Sequence, residues 1–121
     1  MANTFKVCTL ADVAVDSSTF SKIYTAAGST TTVILGLALC NKINAVRTVT
    51  VKIVSNTGNR TRANDLANTD VILLNEVSIP ADTTLEVLAG QKYVLETTDE
   101  MHIGASVASS VDATLSIMEI T

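Results

Sequence analysis

The stretch "AVRTVTVKIV" (residues 45–54) alternates between apolar and polar side chains. Val49, Val51 and Ile53 point one way, and Thr48, Thr50 and Lys52 point the other. A period of two is that of a β-strand, whose successive side chains leave opposite faces, so the stretch predicts a strand with one buried and one wet side. The same beat runs through "VDATLSIMEI" (111–120), where Val111, Ala113, Leu115 and Ile117 alternate with Asp112, Thr114 and Ser116. In "MHIGASV" (101–107), Met101, Ile103, Ala105 and Val107 share one face.

Two further stretches break the simple pattern. "TTTVILGLALC" (30–40) is apolar or small on both faces, which reads as a central strand, either covered on both sides or lying at a subunit contact. In "DVILLNEVSI" (70–79), Val71, Leu73, Val77 and Ile79 share a face, yet Ile72 and Leu74 sit opposite. Apolar residues on nominally outer faces point to packing against something beyond the domain, and so to assembly.

Turn signals cut the chain at short intervals: "AAGS" (26–29), "NKIN" (41–44), "IPAD" (79–82), "AGQ" (89–91), "TTDE" (97–100) and "ASS" (108–110). The single proline, Pro80, falls between strands, where its missing N–H costs no ladder bond. This spacing predicts eight or nine strands and no helix of three turns. The expected fold class is all-β: an antiparallel β-sandwich, immunoglobulin-like or jelly-roll-like, forming one domain over residues 1–121. The longest irregular segment is "SNTGNRTRANDLANTD" (55–70), with four Asn, two Arg and a Gly. Two readings of it stay open. It is a solvated hairpin connection, or Arg60 and Arg62 reach an acidic partner surface or a neighbouring subunit.

Composition agrees with strands. Eighteen Thr, fourteen Val and nine Ile make up about a third of the 121 residues, and these β-branched side chains suit a pleated surface. Hydrophobic residues at 47% argue for a folded chain. A net charge of −4 with only eight basic residues argues against nucleic acid as a partner. Aromatics are 3% with no Trp, which leaves few platforms for stacking on sugar rings. The start, "MANTFKVCTL", has no basic region followed by an apolar run, and the longest apolar run, "VILGLALC" (33–40), is too short to cross a bilayer, so no membrane partner is expected. Cys8 and Cys40 match no metal or redox spacing; reduced, packed thiols in a protein made in the cytoplasm are expected.

Chemistry-bearing side chains gather only in "LETTDEMHI" (95–103). A metal site would need at least three converging ligands, usually with more than one His, and His102 is the only imidazole. Strand phase sends Leu95, Met101 and Ile103 to the core. Glu96 and His102 then lie on the outer face as cross-strand neighbours, with Asp99 and Glu100 in the turn. No nucleophile pairs with His102, and no Gly-rich phosphate loop is present. The reading is a protein without catalytic residues, cofactor or metal.

The order of elements resembles small β-sandwich virion structural proteins of tailed bacteriophages. The resemblance spans nearly the whole chain and rests on "KIYTAAGSTTTVILGLALCN", "IPADTTLEVLAGQKYVLETTDEMHI" and the closing "LSIMEI". That family often has Gly after "IPA" and before the "D" of the later turn; here Asp82 and Thr98 stand there. The resemblance implies a non-enzymatic protein of the virion, assembled in the host cytoplasm. It implies a capsid decoration (cement) protein or an accessory protein of neck, tail or fibre, including a host-recognition or carbohydrate-binding module. The implied partners are the major capsid protein or other virion proteins, with a homo-oligomer, a trimer, as the expected state. The interface residues expected are Ile34, Ile72, Leu74, Arg60 and Arg62.

Overall fold

A computed structural model describes residues 2–16, 20–55, 69–88 and 92–121. Its strands are β1 (Asn3–Leu10), β2 (Ser21–Thr25), β3 (Thr31–Asn41), β4 (Arg47–Val54), β5 (Val71–Ile79), β6 (Thr84–Glu86), β7 (Tyr93–Leu95), β8 (Glu100–Ala105) and β9 (Val111–Ile120). They form two antiparallel sheets. In the first, β1, β9 and β3 lie side by side, and the short β6 and β7 pair with separate parts of the far edge of β3. In the second the order is β2, β8, β4, β5. With β6 and β7 taken as one interrupted strand, the first strand lies beside the last and the second beside the last but one. This is the interleaved Greek-key arrangement of a jelly roll, one of the two sandwich topologies expected from the sequence.

The alternation described above builds the core. Val49 and Val51 of β4, Met101 and Ile103 of β8, and Val111, Leu115 and Ile117 of β9 are all fully buried between the sheets. Ile34, Leu37 and Leu39 of β3 and Leu95 of β7 join them. Each such side chain contributes about 1.5–3 kcal/mol by leaving water. Val107 departs from the expectation: β8 ends at Ala105, and Val107 lies exposed in the turn beyond it.

Bulges set the phase of two of the expected interface residues, burying Ile34 and turning Leu74 partly inward. In β3 the register against β9 slips by one between Ile34 and Gly36. Ile34 pairs with buried Ile117 on the core side and is itself fully buried, so it cannot touch a partner. In β5 the register slips on both sides of Leu74. Glu76 turns into the left-handed region (φ 48), and its N–H donates to Thr50 Oγ1 at 3.1 Å. The slip sets Leu74 opposite buried Val51, because cross-strand pairs share a face, and Leu74 therefore packs against the core. Ile72 pairs with Lys52 and stays on the outer face, 53% exposed.

Turn chemistry is also visible. Asp82 (φ 52) and Thr98 (φ 70), the two residues standing where the resembled family often has Gly, both adopt the left-handed conformation that glycine takes without strain. Buried Asn41 closes the end of β3. Its amide donates to the carbonyls of Ala45 (2.8 Å) and Ile79 (3.0 Å), and its Oδ1 accepts from the Ile43 N–H (3.1 Å).

Candidate assembly surface

The strands of the first sheet place one row of side chains in register across its outer face. Phe5 on β1 pairs with Met118 on β9, Met118 with Val33 on β3, and Val33 with Val94 on β7. Their chain neighbours Ile117, Ile34 and Leu95 point inward, so this row points out. Phe5 is 72% exposed and Val94 55%, and Val7, two residues along β1, is 64% exposed. The edge strand reverses the usual polarity: Phe5 and Val7 face water, while Lys6, Cys8 and Leu10 take the inward phase, opposite Ile117, Leu115 and Ala113. Lys6 is accommodated there because its ammonium meets Glu119 Oε1 at 2.7 Å.

That pair belongs to a network at the open edge between the sheets. The Tyr24 hydroxyl, reaching over from β2, donates to Glu119 Oε2 at 2.6 Å and lies 2.7 Å from Thr32 Oγ1. Hydrogen bonds from Lys6 and then Tyr24 hold the Glu119 carboxyl below its ordinary range, and the same Glu119 contact raises Lys6. Burial first, and then the bond to Glu119, push the Tyr24 phenol up to about 12. At the opposite end, Lys42 bridges Asp12 and Asp112. Asp112 also accepts the Asp12 N–H at 3.0 Å, and these contacts lower its pKa.

The outer face of the second sheet has different chemistry. Its matching row is Lys22, His102, Lys52 and Ile72. His102 Nε2 lies 2.7 Å from Glu100 Oε1, and the Lys52 ammonium sits 4.8 Å above the Phe20 ring. Beside that row, Gly104 is covered by the segment that joins β1 to β2. A Cβ there would fall 2.7 Å from Asp16 Cβ and 3.2 Å from Phe20 Cδ1.

The stretch "LETTDEMHI" is resolved into structural parts. Leu95, Met101 and Ile103 are fully buried, and His102 is on the outer face. Two expectations are corrected. Glu96 follows a strand of the first sheet while His102 lies in the second, so the two are not cross-strand neighbours; the partner of His102 is Glu100, which is the first residue of β8 and not part of the turn. The turn crosses between the sheets and is fastened by Asp99. Its carboxylate accepts the Glu96 N–H at 3.1 Å, and its carbonyl accepts the Ala26 N–H at 2.9 Å. Among the described residues no group of three or more His, Cys, Asp or Glu is placed to hold a metal ion. A shallow depression of about 190 Å³ lined by Thr9, Leu10, Ala11, Asp112, Ala113 and Thr114 has one ionisable side chain, already engaged by Lys42. Cys8 and Cys40 are free thiols on β1 and β3, in the inward and outward phases of the same sheet.

Of the expected interface residues, then, Ile72 alone is on an outer face. Ile34 is buried in the core, Leu74 is half-buried against it, and Arg60 and Arg62 lie outside the described residues. Alternation alone does not mark the row Phe5–Met118–Val33–Val94 as an outer surface. The alternation in "TFKV" carries its signal, but apolar residues there are by default assigned inward.

No protein-family model and no curated relative matches the chain. Two solved structures share its fold. A chain of the T13 IBDV viral particle superposes with a TM-score of 0.55 at 8% identity, over 97% of this chain and 30% of that one. A subunit of Bacillus endospore appendages, from a family of disulfide-linked pili, superposes with a TM-score of 0.50 at 13% identity, over 98% of this chain and 88% of that one. The chain thus spans less than a third of the viral chain it matches. At these identities the likeness is one of fold.

Proposed function

We propose that this chain is a non-enzymatic structural protein of a bacteriophage virion, a capsid decoration (cement) protein that binds the assembled head and stabilises it. The observation that carries the reading is the apolar row on the outer face of the first sheet, which no described segment of the chain covers. The jelly-roll fold, shared with a chain of a viral particle, and the resemblance to small phage virion proteins support it. A decoration protein acts through binding free energy alone. It bridges neighbouring capsid subunits, and mass action then favours the assembled shell. Burying Phe5 and Val94 on the shell contributes about 1.5–3 kcal/mol for each side chain, against the cost of immobilising the protein. The partner is the major capsid protein, and grouping around local three-fold positions suits a closed lattice.

Copy number in purified virions tests the proposal. Hundreds of copies per particle are expected. A few to some dozens would move the protein to neck, tail or fibre, and absence from virions together with binding to host cells or glycans would replace the reading by a recognition module.

A further inference from the structure

The two sheets have four edges, one of them shared by β6 and β7, and three of the four are blunted. β6 and β7 are three residues each, β2 is five residues with a register slip between Lys22 and Tyr24, and β5 slips twice. Shortness and bulges are the usual means by which an edge avoids pairing with another chain. β1 has neither. It runs eight residues, and its register against β9 is unbroken from Asn3 to Leu10.

The hydrogen-bond phase of that edge follows from its start. Ala2 and Thr121 exchange both N–H···O bonds (3.2 and 3.0 Å). Bonded pairs alternate in an antiparallel ladder, so the even-numbered residues of β1 bond to β9. Asn3, Phe5, Val7 and Thr9 therefore turn their N–H and C=O groups outward, and no described residue meets them.

We propose that β1 pairs antiparallel with β1 of a second copy of this chain, across a two-fold axis centred on Phe5. Only odd-numbered residues can bond across the axis, which leaves registers centred on Phe5, Lys6 or Val7. Centring on Lys6 sets two like charges directly opposite, which is destabilising. Centring on Val7 sets Lys6 against the partner's Cys8. Centring on Phe5 sets Lys6 against the partner's Thr4, which pairs with the partner's Glu119. Each ammonium then lies between its own carboxylate and a second one two strands away, roughly 10 Å between backbones. The same register aligns the outer rows, so that Val94, Val33, Met118 and Phe5 of one copy continue into Phe5, Met118, Val33 and Val94 of the other. Charge complementarity and continuity of the apolar row thus select one register. The two-fold contact is compatible with three-fold grouping on a shell, since such a lattice carries both kinds of axis.

The test uses the isolated chain, so it stands apart from particle binding. Wild type is expected to sediment as a concentration-dependent dimer. In a Cys8→Ser, Cys40→Ser background, Phe5→Cys is expected to form a disulfide-linked dimer on mild oxidation, since directly opposed residues lie within bridging distance. Lys6→Cys and Val7→Cys in the same background are expected to cross-link far less. Val7→Pro removes a donor that faces away from β9, so it is expected to weaken the dimer by about tenfold or more while leaving the thermal unfolding of the monomer in place. A wild-type chain that stays monomeric at every concentration would overturn the proposal, as would cross-linking at Lys6→Cys or Val7→Cys in preference to Phe5→Cys.

Discussion

Across the first sheet the outer row reads Phe5, Met118, Val33, Val94; across the second it reads Lys22, His102, Lys52, Ile72. Both rows stand on strands whose other face fills one shared core, so the core does not dictate the difference. The second face is finished by the chain itself. Asp16 and Phe20 cover Gly104, Lys52 stacks on Phe20, and Glu100 meets His102. The first face has no such cover among the described residues, and it continues to an edge strand that turns its Phe and Val outward. One outer face of the sandwich is thus finished by the chain and the other left apolar, and that difference is what the proposed docking rests on.

The sharpest way to break this comparison lies on β5, where inner and outer faces are two residues apart. Leu74→Asp would place a carboxylate against the core and is expected to destabilise the fold by about 3 kcal/mol or more in chemical denaturation, whereas Ile72→Asp is expected to change stability by under about 0.5 kcal/mol. Equal effects would mean that the bulge does not turn Leu74 inward. Next comes the cover of the second face. Gly104→Ala is expected to cost about 1–3 kcal/mol, because the added methyl meets the Asp16 backbone at 2.9 Å. An unchanged melting temperature would show that the covering segment is loosely held.

These first two expectations also mark what the sequence reveals and what it hides. β9 is read from the sequence residue for residue, and the inward set of β4 is correct, because uninterrupted period-two alternation has one phase. Period two fails where a bulge adds a residue. In β5 it inverted Leu74, and in β3, apolar on both faces, it could not say that Ile34 is inside and Val33 outside. On β1 the alternation is present with its sense reversed: Phe5 and Val7 face outward, while Lys6, in the inward phase, stays exposed and meets Glu119, 113 positions away in the sequence.

The edge network supplies smaller effects. Tyr24→Phe removes two hydrogen bonds and is expected to cost about 1 kcal/mol. The Tyr24 phenol is raised from 10.0 to about 12, so its contribution is present below pH 10 and lost as pH rises toward 12. A spectroscopic phenolate titration should show one late step that Tyr24→Phe abolishes. The Glu119 carboxyl is lowered from 4.5, so its contribution is present above that pH and lost as pH falls through the depressed value. Acid unfolding should therefore begin at higher pH in Lys6→Ala than in wild type. Smallest of all, Thr98→Gly relieves a β-branched residue at φ 70 and is expected to stabilise by about 0.5–1 kcal/mol, read as a rise in melting temperature.

The central claim is that the outer face of the first sheet docks on the virion shell. Titration of undecorated phage heads with the wild-type chain, with Phe5→Asp/Val94→Asp and with Ile72→Asp tests it most directly. Wild type and Ile72→Asp are expected to saturate the heads at near-stoichiometric copy number and raise their thermal stability, while the folded double variant binds about 100-fold more weakly or not at all. Binding by the double variant as tight as wild type, or loss of binding in Ile72→Asp instead, would contradict the account.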